Sequence, residues 1–362
     1  MVEHRGETAR VDGRVPGSDA PGEAHMRAAL ELANSARGHA SPNPWVGCRL
    51  VATDGRIFVG ATAPPGGPHA EVAALARAGE VAKDATVYVT LEPCAHHGRT
   101  PPCTDALIAA GVRRVVVAIV DPDCQVNGRG LEALRAAGIE VELGVGAPAA
   151  EAQLAPYLKH RRTGHPLVIV KLAISLDGRI AAPDGTSKWI TGAAARADAQ
   201  RLRADSDAVL VGAATVRGDN PRLSVRDVPG ASPLRVVLGR PPVDAAVHPS
   251  LSMGGDLNAV LAELAARGVL QLLVEGGATV AGAFHRAGLV DRYVFYVAPA
   301  LFGGDDGRAL FAGAGASSMA ALWRGRIEAV RALGGDLRID LVPTRSASPD
   351  DRADRAPLME VG

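Results

Sequence analysis

The stretch TLEPCAHHGRTPPC (residues 90–103) gathers two of the chain's four cysteines, two histidines and three prolines into fourteen residues. Thiolate and imidazole are the ligands zinc prefers, and a catalytic zinc takes three of them and leaves a fourth position for water. Cys94 follows a run that reads as a strand, ATVYVTLEP, and Cys103 precedes one that reads as a helix, TDALIAAGV, with Thr104 placed as its N-cap. Both thiols are therefore expected near helix N-termini, where the dipole favours the thiolate form. The third ligand expected is His69, in PHAEVAAL, at the first turn of another helix. Glu71, two residues on, is a carboxylate outside the ligand set and suits proton shuttling between an acidified water and a leaving group.

Cys48 lies mid-strand and reads as a small core hydrophobe, and Cys124 follows Asp121-Pro122 in a loop where nothing pairs with it. Neither is expected to be a ligand. Asn43, just before Pro44, offers donor and acceptor to a pyrimidine edge, although an Asn there is as readily a simple turn residue. His96 and Arg99 lie between the cysteines, where Arg99 could grip a phosphate bidentately; His97 is expected on the surface.

The elements that must hold these groups alternate. A helix over 24–37, with Met26, Leu30 and Ala33 at helical spacing and a stop at Gly38, leads into two strands joined around Asp54-Gly55. Helix and strand then alternate to IEVELG, which predicts a largely parallel sheet covered on both faces. The pattern loosens over Ala/Pro-rich residues 144–166, with one short helix (151–158), and alternation resumes from LVIVKLAISLDGRIA. The expected division is a lead-in over 1–23, a first domain over 24–150, a linker over 151–165, a second domain over 166–343 and a disordered tail over 344–362.

Composition narrows the function. The 362 residues carry 39 basic and 39 acidic side chains, a formal net charge of zero, so no basic footprint for nucleic acid or an anionic membrane is present. Aromatics at 3% leave few platforms for stacking bases. No apolar run reaches the ~20 residues a spanning helix needs, and MVEHRGETARVDGRVPGSDAPGEA has no apolar core of a signal peptide. A small-molecule enzyme of the cytoplasm is the expectation.

His-x-Glu followed by Pro-Cys and a second Cys is the zinc nucleoside-deaminase pattern, except that the cysteines here are separated by eight residues rather than two. The whole run PHAEVAAL…TLEPCAHHGRTPPC, with NPWVG (43–47) upstream, resembles the deaminase domain of the bifunctional riboflavin-biosynthesis deaminase–reductases, in which the longer gap is usual. In the second half, VKLAISLDGRIA, SKWITG, LVGAATVRGDNPRLSVR and LLVEGGATVAGAF resemble, in order, the reductase domain of the same family. The Gly276-Gly277 turn before a helix bares backbone N–H groups, but alone it is an ordinary strand–helix connection.

The resemblance implies an α/β chain of two domains, one cytidine-deaminase-like and one dihydrofolate-reductase-like, using one zinc ion and NADPH. It implies zinc on His69, Cys94 and Cys103, with Glu71 as proton shuttle. Asn43, His96 and Arg99 would bind the first substrate. Ser187, Arg203, Leu223, Arg226 and Glu275 would face a phosphoribosyl pyrimidine, with Lys171 hydrogen-bonding near the reacting sugar carbon. Ile174, Trp189, Thr215, Asp219 and the run Gly277, Ala278, Thr279, Val280, Ala281, Gly282 and Ala283 would border the cofactor. Homo-oligomers are implied as well. Residues 240–257 are shorter than in many relatives, which leaves the source of any preference for NADPH over NADH unassigned. Two rivals are a nucleic-acid base deaminase and a non-catalytic module in which His96 closes a structural zinc site as a fourth ligand.

Overall fold

The computed structural model describes residues 21–98 and 101–344, and its contacts divide the chain into two units, 1–36 with 45–153 and 37–44 with 154–362. Most of the expected lead-in and all of the expected tail but Thr344 fall outside the described residues, as does Arg99.

In the first unit, α1 (Pro21–Ala40) is longer at both ends than its sequence suggests. Gly38 does not stop it, because one glycine costs a helix only about 1 kcal/mol; the helix ends where Ser41 precedes Pro42, a position that disfavours helical backbone. Strands β1 (Gly47–Val51) and β2 (Ile57–Ala61) form the expected hairpin, with Arg56 N–H donating to the Asp54 carboxylate in the turn. Then come α2 (Ala70–Ala78), β3 (Thr86–Val89), α3 (Cys103–Ala109), β4 (Arg114–Val117), α4 (Arg129–Ala136) and β5 (Glu140–Leu143). The sheet order is β2-β1-β3-β4-β5. Only the β3–β4 and β4–β5 pairs are parallel; β1 is antiparallel to both neighbours, so the expectation of a largely parallel sheet fails for half of this one. The reason is the short turn at Asp54-Gly55: a few residues can join antiparallel strands, whereas a parallel pair needs a crossover.

The segment read as a linker is mostly one helix, α5 (Ala147–Thr163), interrupted chemically only by Pro156. Alanine is the strongest helix former, and its abundance here had the look of low complexity. The boundary between the units falls inside this helix, after Gln153.

The second unit contains β6 (Leu167–Ser175), β7 (Arg179–Ala181), α6 (Ala193–Ala204), β8 (Ala208–Gly212), α7 (Ala213–Asp219), β9 (Leu234–Leu238), β10 (Leu251–Met253), α8 (Leu257–Ala266), β11 (Gln271–Val274), α9 (Ala278–Arg286), β12 (Arg292–Ala298), β13 (Arg308–Ala309), β14 (Gly325–Leu333) and β15 (Asp336–Pro343). The large sheet runs β10-β9-β8-β11-β6-β12-β15-β14, parallel through its first six strands, while β7 and β13 form a separate ribbon. The β14–β15 hairpin was not foreseen, although Gly334-Gly335 between two alternating runs is a hairpin signal. Each face of the sheet has its own core. Val168, Val170 and Leu172 of β6 pack with Leu261 and Leu264 of α8 and Phe284 of α9, while Ile169 packs with Ala195 and Leu202 of α6 and Val216 of α7. The alternation along β6 puts Lys171 on the α6 side.

Candidate active site

Two places collect chemistry, one in each unit. In the first, α2 is pressed onto the hairpin: a Cβ on Gly60 of β2 would lie 2.0 Å from the Ala70 carbonyl oxygen, so only glycine lets the helix come this close. That fixes His69, the residue immediately before α2, and Glu71 inside its first turn. Cys103 is the first residue of α3, capped by Pro102 rather than by Thr104, which lies one residue inside and donates its hydroxyl to the Cys94 carbonyl at 3.3 Å. Cys94 itself is in the loop after β3, not in a helix. It nevertheless receives the N–H of Cys103 on its sulfur at 3.4 Å, so the helix N-terminus serves both thiols.

His69 Nδ1 lies 3.2 Å from Cys103 Sγ and 3.5 Å from Cys94 Sγ, and the three ligand atoms are within 4.8 Å of one another. Tetrahedral zinc with ordinary bond lengths sets nitrogen and sulfur about 3.6 Å apart, so the donor set and its spacing fit that ion. Hydrogen bonding from Cys103, then from His69, pulls the Cys94 thiol down to about 4 against the effect of burial. Cys103 is pushed up by its bond to Cys94 and by burial. One proton shared between two sulfurs is what a thiophilic cation displaces. The Cys94 contact raises His69, against its burial. Burial, with a smaller contribution from the Cys94 charge, lifts the Glu71 carboxyl to about 7, in the range a proton shuttle at neutral pH needs.

His96 is half-buried and its enclosed Nδ1 has no hydrogen-bond partner among the described residues; His97 is exposed, as expected. His96 is not part of the ligand group, which has three members among the described residues. Cys48 is fully buried in β1 and Cys124 is exposed, both outside the group. Asn43 falls in the short segment that groups with the second unit.

Sequence reasoning missed Glu92. Its buried carboxylate accepts four backbone N–H groups, from Gly130 at 2.8 Å, Gly128 at 3.0 Å, Asp121 at 3.2 Å and Leu131 at 3.4 Å. It ties the 121–131 loop and the start of α4 to the strand end that leads into Cys94. The fit is close: a Cβ on Gly130 would lie 2.0 Å from the Pro93 carbonyl oxygen. The only sequence signal was an acid between a strand end and a Pro-Cys pair.

In the second unit, a cavity of about 1350 Å³ opens at the carboxyl ends of β6, β8 and β11, where open parallel sheets bind ligands. Lys171, Ser187, Trp189, Arg203, Thr215, Asp219, Leu223, Arg226 and Glu275 all line it. Of the run after Gly276, Gly277 through Val280 line it too, whereas Ala281, Gly282 and Ala283 do not. Gly282 is instead pressed against the Ala312 carbonyl, with room for no Cβ (2.4 Å), and Ala281 is core. Ile174 also packs on the core rather than lining the cavity. The turn before α9 is tied to α7 by Gly277 N–H on Thr215 Oγ1 at 2.8 Å.

Arg203 forks onto Glu275, Nε to Oε1 at 2.5 Å and Nη2 to Oε2 at 2.7 Å, deep in the wall. Burial would raise the Glu275 carboxyl, but the Arg203 guanidinium more than offsets it and holds it below the usual range. Burial lowers Lys171, with Glu275 opposing and Arg203 reinforcing. A second chamber of about 620 Å³ shares Lys171, Trp189, Arg196, Arg203 and Arg226 with the first. Trp189 is 67% exposed, and the Arg196 guanidinium sits 4.8 Å over its ring.

Each of the two units matches a known protein family. Residues 20–119 match the cytidine and deoxycytidylate deaminase zinc-binding region, and residues 166–339 match the RibD C-terminal domain. The riboflavin biosynthesis protein RibD of Escherichia coli is 40% identical, over 88% of this chain and 99% of that protein, and its Mycobacterium tuberculosis counterpart is 43% identical over 88% and 96%. The solved structure of Acinetobacter baumannii RibD superposes with a TM-score of 0.84 at 40% identity, covering 90% of this chain and 99% of the other. A Thermotoga maritima structure described as a diaminohydroxyphosphoribosylaminopyrimidine deaminase/5-amino-6-(5-phosphoribosylamino)uracil reductase does so with 0.82 at 32% identity, covering 89% and 99%.

Proposed function

The chain belongs to the RibD family of bifunctional riboflavin-biosynthesis deaminase–reductases, and from that premise we propose how its residues divide the work. It has a zinc-binding deaminase domain and a reductase domain. The first substrate is 2,5-diamino-6-(5-phosphoribosylamino)pyrimidin-4-one, whose amino-bearing ring carbon exchanges a C–N bond for a C–O bond as ammonia leaves. His69, Cys94 and Cys103 would hold zinc, which would supply Lewis acidity there and lower the pKa of a water. Glu71 takes the water's proton and hands it to the departing nitrogen. Asn43, the unpartnered His96 Nδ1 and Arg99 hold the pyrimidine and its phosphoribosyl arm.

In the second unit the deaminated product gains a hydride at C1′ of its ribosyl group as the C1′–O4′ bond breaks and the freed ring oxygen takes a proton, giving ribityl. NADPH supplies the hydride; the chain supplies placement. Ser187, Arg203, Leu223, Arg226 and Glu275 receive the phosphoribosyl pyrimidine, and Lys171 hydrogen-bonds beside the reacting carbon. Trp189, Thr215, Asp219 and Gly277 through Val280 border the dinucleotide. The reading extends to a homo-oligomer of the cytoplasm, which sedimentation of the purified protein checks for assembly.

The observation that carries this reading is the group of three ligand atoms beside a buried carboxyl whose pKa is about 7. A three-membered group favours catalysis over a closed structural zinc. The test is to give zinc-analysed protein the diaminopyrimidinone and follow ammonia, then add NADPH and follow its absorbance. Ammonia first and NADPH oxidation second, with about one zinc per chain, is the expected result. No ammonia from zinc-replete protein overturns the deaminase half, and ammonia without NADPH loss overturns the reductase half.

A further inference from the structure

The side of β6 that carries Lys171 also meets an aromatic ring. In the parallel β6–β12 pair, Lys171 is opposite Val294 and Ala173 is opposite Tyr296, so Tyr296 is one pleat along on the same face. The Lys171 ammonium is 5.6 Å from the centre of the Tyr296 ring. Among the described residues no hydrogen-bond acceptor is recorded for Nζ. Lys171 is half-buried and lines both chambers, so an ammonium on its four-carbon stem, without an acceptor among the described residues, needs something else to define its position.

The ring that meets it is itself held. Tyr296 is 1% exposed, and its hydroxyl donates to Asp198 Oδ2 at 2.7 Å. The same oxygen accepts from Arg338 Nη1 at 2.7 Å, and Arg338 forks onto Asp340 at 3.0 and 2.8 Å. A buried chain of polar groups thus runs from β15 through α6 to the tyrosine, fixing the tilt of the ring. A framework role alone would not require the ring to border a ligand chamber. Tyr296 does border one, the smaller of the two, in company with Lys171, Arg196, Arg203 and Arg226.

We propose that Tyr296 is a positioning residue of the reductase site: the face of its ring carries the Lys171 ammonium at the junction of the two chambers, and Asp198 and Arg338 hold that face in place. The ring's negative face attracts the cation without accepting a hydrogen bond from it. All three ammonium protons therefore stay available to the sugar. The proposal rests on the reading of Lys171 as the group beside the reacting carbon.

The test replaces Tyr296 in the full-length protein with phenylalanine and its mono-, di- and trifluorinated analogues, which keep shape and drain the ring's negative face. Lys171→Met is measured in parallel, and deaminase turnover by the same preparations reports that the chain is intact. We expect reductase kcat to fall first with phenylalanine, which frees the ring from Asp198, and then to fall further and stepwise with each fluorine, roughly tenfold across the fluorinated series. KM for the phosphoribosyl substrate and the dissociation constant of NADPH should hold steady, because only the lysine is affected. A framework role predicts a flat series, since the analogues are nearly isosteric, and a flat series overturns the proposal. So does a fall that appears in KM alone. If Lys171→Met turns over normally, the reading of Lys171 fails instead, and the two failures are told apart by which variant is silent.

Discussion

The zinc pocket and the reductase cavity solve opposite problems. The first needs three atoms at one spacing, and Cys94 and Cys103 are supplied by a single loop and the helix start that closes it, with His69 one helix away. The second needs a volume of about 1350 Å³ with charges placed around it, and draws its wall from Lys171 to Ala312. A metal site is tuned by ligand type, so substituting one ligand or its carboxyl neighbour is expected to cost most of the deamination. A cavity is tuned by support, so its vulnerable points are buried pairs such as Arg203–Glu275 that line it and brace its wall together.

That contrast breaks if the two sites share their machinery, and the sharpest trial is Glu71→Gln. Ammonia release should fall by roughly 10³–10⁴-fold, while zinc per chain and NADPH oxidation on pre-deaminated substrate stay as in the wild type. A parallel loss of both activities would end the comparison. The counterpart in the cavity is Glu275→Gln, which strands a buried guanidinium and should lower the stability of the second unit by about 3–5 kcal/mol at neutral pH. The pH dependence follows from the sign of the shift. Folding lowers the Glu275 carboxyl below 4.5, so the wild type's advantage is complete above that value and disappears as pH falls through the folded one. Denaturant titrations of both proteins from neutral to acid pH should show the gap closing; a constant gap would refute the ion pair as its source.

Smaller effects sharpen the comparison. Gly130→Ala brings a methyl group against a carbonyl behind the zinc pocket and should cost about 1–3 kcal/mol, with zinc lost more readily to a chelator while the reductase KM values stay put. If chelation rates do not change, the Glu92 tie does not reach Cys94. Least of all, Glu263→Ala on α8 removes an exposed pair with Arg267 at the helix's C-cap and should shift stability by under about 0.5 kcal/mol. A shift as large as that of Glu275→Gln would mean that surface pairs support this unit as much as its cavity wall does.

The same contrast explains what could be read from the sequence. His69, Glu71, Cys94 and Cys103 were legible because ligand chemistry restricts residue type and spacing at once. Glu92 was not, because its partners are backbone amides contributed by 121–131, and a backbone amide has no letter of its own. The run from Gly277 to Ala283 was read as one cofactor border, yet a helix turns about 100° per residue. Its first residues line the cavity while Ala281 and Gly282 turn to the core and to Ala312. Strands were found where β-branched runs were long. α5 was read only in part, as a helix over 151–158, because its alanines looked like a loosened segment, and in the β14–β15 hairpin the alternating pattern went unread.

Trp189 has a consequence of an optical kind. The chain has three tryptophans: Trp45 is buried, Trp323 is half-buried beside Tyr293, and Trp189 stands at the rim shared by both chambers. Indole emission overlaps the absorption of a reduced nicotinamide and is sensitive to a cation on the ring face such as Arg196. The chain therefore carries its own lamp at the entrance to the cavity. Its dimming would count dinucleotides as they arrive, without a label and without a single turnover.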